Sequence, residues 1–109
     1  MPDSHPTKQV GTDFVRKLTA LHGASAVNGF SAYSYDAAML FADAARRAVG
    51  KAKPGTPEFR EALRAAIFTT KDLVGAHGVY TFRPGSVYGV DERAVVLGQV
   101  VNGAWKLVK

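Results

Sequence analysis

Ser31, Ser34, Asp36 and the histidines His5, His22 and His77 are the side chains of this chain suited to nucleophilic or acid–base chemistry. A hydrolytic triad needs a serine hydroxyl within hydrogen-bond reach of an imidazole, itself oriented by a carboxylate. The sequence has no Gly-x-Ser-x-Gly elbow, and no spacing draws these residues together, so no catalytic residue is assigned and the chain is not expected to be an enzyme. The histidines stand 17 and 55 positions apart, without an i, i+4 pair and with no cysteine, which argues against a metal site. No Gly-x-x-x-x-Gly-Lys loop is present, and Gly85-Ser86-Val87-Tyr88-Gly89 leads into a β-prone run instead of a helix. No cofactor is therefore expected. The lack of cysteine excludes disulfides and leaves the cellular compartment open.

The elements that must position these residues follow from periodicity and turn chemistry. Residues 1–11, with Pro2, Pro6 and Gly11, read as an extended lead-in, ordered only where something pins it. A single α/β segment is expected over 12–109. Thr12 or Asp13 caps a first helix whose face carries Phe14, Val15, Leu18 and Leu21, and His22-Gly23 stops it. Val27 to Tyr33 is short and aromatic enough for one brief strand. A long helix then runs from about Tyr35 to Val49, with Ala37, Leu40, Phe41, Ala44, Ala45, Ala48 and Val49 as its stripe and Gly50 as its stop. Asp36 falls in its first turn, where the helix dipole stabilises a carboxylate by a few tenths to about 1 kcal/mol.

Thr56-Pro57-Glu58 places a capping hydroxyl, a proline at the first helical position and an acid in the first turn, the order a helix start prefers. Phe59, Ala62, Leu63, Ala66 and Ile67 form the buried face of that third helix, with Arg60, Glu61 and Arg64 toward water. Glycines at 75, 78, 85 and 89 then divide β-prone runs: Val79 to Phe82, Ala94 to Val101 and Ala104 to Val108. His77 reads as a turn residue, and Asn102-Gly103 as a two-residue hairpin turn. The fold class is α/β, three helices plus a mainly antiparallel C-terminal strand group.

Bulk properties exclude other classes. The charge of +5 comes from scattered lysines and arginines, and the densest cluster, Arg46 to Lys53, surrounds a helix end, so nucleic acid is not an expected partner. The N-terminus has neither the basic nor the apolar region of a signal peptide, and no apolar run reaches membrane-spanning length.

The succession Phe14 to Gly23, Gly29-Phe30-Ser31-Ala32-Tyr33-Ser34-Tyr35-Asp36-Ala37-Ala38, Thr56 to Ala66, Gly75 to Phe82 and Val95 to Leu107 resembles the final third of the type I periplasmic solute-binding proteins, of the leucine/isoleucine/valine-binding class. The resemblance covers roughly residues 12–108 and implies part of a two-lobed periplasmic-binding-protein-like fold. It implies a substrate-binding component of an ABC importer for branched-chain or similar small amino acids or organic acids, partnered by a membrane permease and located in the periplasm. It places Phe30, Ser31, Tyr33 and Ser34 at the ligand, with Phe30 touching the ligand's side chain and serine hydroxyls meeting polar atoms. Residues 75–82 become the candidate crossing between lobes. From the residues alone, Phe30 and Tyr33 read equally well as core aromatics. The alternative is a small self-associating interaction module with no solute site of its own. In that case an unpaired β edge near Trp105 recruits a second copy, so that the isolated chain forms a homo-oligomer.

Overall fold

The computed structural model describes residues 3–108. The element order is α1 (Lys8–His22), a 3₁₀ turn (Ala24–Ala26), α2 (Gly29–Val49), α3 (Pro57–Phe68), β1 (Leu73–Val74), β2 (Val79–Tyr80), a second 3₁₀ turn (Glu92–Ala94), β3 (Gly98–Val101) and β4 (Ala104–Leu107). The strands form two separate antiparallel pairs, β1 with β2 and β3 with β4. This is the expected α/β arrangement of three helices and antiparallel strands.

The expected β runs shorten to Val79–Tyr80, Gly98–Val101 and Ala104–Leu107, with Ala94 in a 3₁₀ turn, and two helix starts also differ from the sequence reading. α1 begins at Lys8, so residues 8–11 of the expected lead-in are helical. What pins this end is His5. Its Nδ1 accepts from the Thr7 backbone N–H and lies 2.9 Å from the Thr7 hydroxyl, while its Nε2 sits 2.8 Å from the Arg93 carbonyl. A carbonyl only accepts, so Nε2 carries the proton. The expected strand over Val27–Tyr33 is also absent, because α2 starts at Gly29. Asn28 caps it: its Oδ1 accepts from the Ser31 backbone N–H, and the Asn28 N–H donates back to Ser31 Oγ, both at 3.0 Å. This reciprocal pair satisfies two backbone donors at the helix start and overrides the β propensity of the aromatic run.

The third helix starts as its sequence requires, with Thr56 Oγ1 accepting from the Phe59 N–H at 3.2 Å and Pro57 in the first turn. Ala44 and Ala48 of α2 and Ala66 of α3 are buried. Their small side chains let the two helices approach closely. At the far end of the same contact, Arg47 holds Asp43 Oδ2 at 2.7 Å and the Thr70 hydroxyl at 2.8 Å, tying α2 to the exit of α3. Phe82 continues this layer through its N–H to the Thr70 carbonyl and an edge contact with Phe68. The terminal hairpin turns through Asn102 and Gly103, with φ of 52° and 77°, as its two-residue loop demands.

The core is small. Its buried apolar residues are Phe14, Ala44, Ala48, Ala66, Ala76 and Val79, mostly alanines. Of the expected α1 face only Phe14 is buried, while Val15 and Leu21 are exposed, as are Phe41 and Val49 of the α2 stripe. The accessible surface is 7835 Å², against roughly 5,800 Å² for a compact monomer of this mass. The radius of gyration, 16.6 Å, likewise exceeds the roughly 13 Å of a compact chain of this length. The excess surface is apolar to a large extent, since Leu21, Phe30, Leu97 and Trp105 are all more than 70% exposed.

Candidate functional site

Asp36 organises the region where α2 meets the β1–β2 turn. Its residue surface is 2% exposed, and its carboxylate accepts three hydrogen bonds from residues 40 to 44 positions later. The backbone N–H of Ala76 donates to Oδ1 at 2.6 Å, the backbone N–H of His77 to Oδ2 at 2.8 Å, and the Tyr80 hydroxyl to Oδ2 at 2.9 Å. Two consecutive amides pointing at one carboxylate make the turn an anion cradle, supplied here with an anion from the protein itself. Gly75 is required at its edge, because a Cβ there would lie 2.5 Å from the Asp36 carboxyl carbon. Burial, together with the bond to the Asp36 carboxylate, pushes the Tyr80 phenol well above its ordinary range, so Tyr80 stays a donor.

Asp36 therefore does more than complement a helix dipole. It lies in the third turn of α2 and fastens that helix to residues 75–80. The sequence reading missed this role, and also the participation of Ala76, His77 and Tyr80. The available signal was Gly75-Ala76 and Gly78 around His77, a stretch with room for a close approach, though nothing local names the group that approaches.

The clamp fixes what surrounds it. Gly11 of α1 comes close to the Ala76 carbonyl, and the Phe14 ring packs against Tyr35 at 5.1 Å between centroids. On the other side of α2, Tyr33 meets the His77 imidazole edge to face at 4.3 Å. Phe30, Tyr33 and Ser34 share one face of the first turns of α2, at i, i+3 and i+4. Within this chain Phe30 is 82% exposed and Tyr33 50%. The structure thus brings Phe30, Tyr33 and Ser34 together with His77 into one exposed aromatic and hydroxylic face. Ser31 is set apart from them: its hydroxyl accepts from the Asn28 N–H and donates to the Asn28 carbonyl at 2.8 Å, holding the helix start.

A cavity of about 490 Å³ lies on the opposite side of α2, with Phe14, Val15, Val27, Ala32 and Ala76 in its wall. Lys8 and Arg16 border it, but each already faces a carboxylate, Asp3 at 3.2 Å and Asp13 at 3.1 Å. A second charged group lies at the 3₁₀ turn, where Arg93 grips Asp91 with two nitrogens. That grip holds the Asp91 carboxyl down at about 2, and His5 anchors the N-terminus on the Arg93 carbonyl beside it. Among the described residues no group of three or more His, Asp or Glu side chains is placed to hold a metal ion. Among the described residues no helix is long and apolar enough to cross a membrane.

The chain matches no family model and no curated protein sequence. It is similar in both sequence and structure to extracellular ligand-binding receptors of Rhodopseudomonas palustris whose structures have been solved. One is 40% identical with a TM-score of 0.86, matched over 100% of this chain and 30% of the receptor. A receptor from strain HaA2 is 37% identical with a TM-score of 0.86, over 100% of this chain and 30% of the receptor. Another from the same strain is 36% identical with a TM-score of 0.82, over 99% of this chain and 30% of the receptor. The chain spans about 30% of the length of these extracellular ligand-binding receptors and is similar to them in sequence and fold across that span.

Proposed function

We propose that this chain supplies one wall of the ligand cleft of a two-lobed periplasmic solute-binding protein. The whole protein would be the substrate-binding component of an ABC importer for branched-chain or similar small amino acids or organic acids. The single observation that carries the reading is the exposed face of Phe30, Tyr33 and Ser34, on the helix that the Asp36 clamp fastens beside His77. Its likeness to receptors that bind ligands supports the same reading.

The chemistry of the face suits that task. The Phe30 ring covers the apolar part of a small solute and excludes water from it, while the hydroxyls of Tyr33 and Ser34 meet its polar atoms. Ser31 contributes indirectly, by fixing the first turn of α2 from which Phe30 projects. Closure of the two lobes on the solute favours the form that the membrane permease recognises, because the solute binds that form more tightly. Residues 75–82, fastened to Asp36, stay the candidate crossing between lobes.

The test is calorimetric titration of the chain with leucine, valine, phenylalanine and benzoate, at high protein concentration. Saturable heat that is lost in Phe30→Ala and kept in Leu21→Ala, an exposed apolar site on α1, is the expected result. Saturable binding that Phe30→Ala leaves unchanged would refute the assignment of this face. No heat with any of the four ligands would leave the chain without a solute site of its own. That outcome would favour a self-associating module, a reading supported by the exposed apolar surface.

A further inference from the structure

The chain has two asparagines, Asn28 and Asn102, and both stand in the same tripeptide, Val-Asn-Gly. This pairing carries its own chemistry, because a glycine nitrogen with no side chain beside it can attack the preceding carboxamide carbon. The structure places the two copies in opposite settings. Asn28 is held at every polar group. Its Oδ1 accepts from the Ser31 N–H at 3.0 Å, its Nδ2 donates to the Ala26 carbonyl at 3.4 Å, and its own N–H donates to Ser31 Oγ at 3.0 Å. Its carbonyl accepts from the Ala32 N–H. Turning that carboxamide onto the Gly29 nitrogen breaks the cap of a 21-residue helix.

Asn102 is exposed, and among the described residues no hydrogen bond holds its carboxamide. It stands at φ 52°, a left-handed conformation that asparagine tolerates and that opening of the turn relieves. A Cβ on Gly103 would meet nothing within 4 Å, so the peptide between the two residues has room to turn over. β3 and β4 pair only with each other, and an isolated two-stranded hairpin is marginally stable, so the turn opens readily.

We infer that Asn102 is a site of spontaneous deamidation in the folded chain, and that the helix cap shields Asn28 from the same reaction. The Gly103 backbone nitrogen attacks Asn102 Cγ and loses its proton to water, and the side-chain nitrogen leaves as ammonia, closing a succinimide ring. Water then opens the ring at either of its carbonyls. One opening gives aspartate. The other gives isoaspartate, in which the main chain runs through the former side-chain carbon. Water is the sole co-reactant, and either product lowers the net charge of +5 by one. The two products differ in what they do to the hairpin. Aspartate tolerates the left-handed turn position, whereas isoaspartate adds a carbon to a two-residue loop whose length sets the pairing of Val101 with Ala104. Both sites share their flanking valine and glycine, so a difference in their rates comes from the fold.

Asn102 does not belong to the face at Phe30, so the reaction is independent of the solute-binding reading. The two sites fall on separate tryptic peptides, residues 18–46 and 94–106, and mass spectrometry of chain held in mildly alkaline buffer follows both at once. In the folded chain Asn102 should convert about tenfold faster than Asn28 or more, with the isoaspartate form of 94–106 eluting as a second peak of the same mass as the aspartate form. In denaturing urea the two rates should fall within about twofold of each other, because the cap and the turn are both gone. Equal rates in the folded chain, or a faster loss at Asn28, overturn the inference. So does a ratio that persists in urea, which would place the difference in the sequence and not in the fold. A folded chain in which neither site converts while the denatured chain converts both also overturns it, since the turn would then protect Asn102 as the cap protects Asn28.

Discussion

Replacing Asp36 with asparagine preserves the shape of the clamp and removes one of its two acceptors. If the amide oxygen keeps the Ala76 N–H, the amide nitrogen must face the donors that now share Oδ2, the His77 N–H and the Tyr80 hydroxyl. The hydroxyl can rotate and accept instead. The His77 backbone N–H cannot, and a stranded donor of this kind costs about 1–3 kcal/mol. The bonds that survive also lose the strengthening that an ionised acceptor provides. Asp36→Asn should therefore cost about 2–4 kcal/mol, and Asp36→Ala more, because all three donors lose their partner. In a chain of this size that is a fall of roughly 2 M in the urea midpoint, followed by far-ultraviolet circular dichroism of the helices. Tyr80→Phe should cost less in the Asp36→Asn background than in the wild type, a coupling of about 0.5–3 kcal/mol. A midpoint for Asp36→Asn close to that of the wild type, or strict additivity with Tyr80→Phe, would refute the view that this carboxylate holds α2 to the turn.

Gly75→Ala pushes a methyl group into the same carboxylate and should lower stability by about 1–3 kcal/mol or more, read as a fall in melting temperature. Asn28→Ala removes the capping box of α2 and should cost about 1 kcal/mol, with Asn28→Ser recovering most of it; denaturant titration of the pair decides. Because the folded phenol of Tyr80 titrates above its unfolded value near 10, its contribution is complete below that pH and declines as the pH rises past it. The stability difference between wild type and Tyr80→Phe, measured by denaturant melts from pH 8 upward, should accordingly be flat to about pH 10 and then shrink.

Local chemistry was legible where it acts within a few residues. Thr56-Pro57-Glu58 starts α3, His22-Gly23 ends α1, and Asn102-Gly103 turns the last hairpin, each through bonds that close within four positions or through a φ that those residues tolerate. The start of α2 was misread because Phe30 and Tyr33 carry β propensity, whereas the deciding bonds between Asn28 and Ser31 involve a serine in place of the usual Glu or Gln of a capping box. Periodicity marked Leu21, Phe41 and Val49 as apolar without saying whether anything covers them, and they are exposed. Phe30, Tyr33 and Ser34 do come together, though on a helix and not on a strand. The Asp36 clamp was out of reach: a carboxylate and its three donors lie at least 40 positions apart, and no spacing rule spans that distance.

The amides of Ala76 and His77 are held by a side chain instead of a strand ladder, and this changes what their exchange with solvent deuterium reports. A hairpin with strands of two residues each would open freely if left to itself, and its turn amides would exchange within the dead time of an experiment. Here both amides can exchange only when α2 swings away from residues 75–80, which also releases the intervening stretch that contains α3. Two protons on a short turn thereby become gauges of the cooperative unit that joins α2 to residues 75–80, slow for as long as that unit holds.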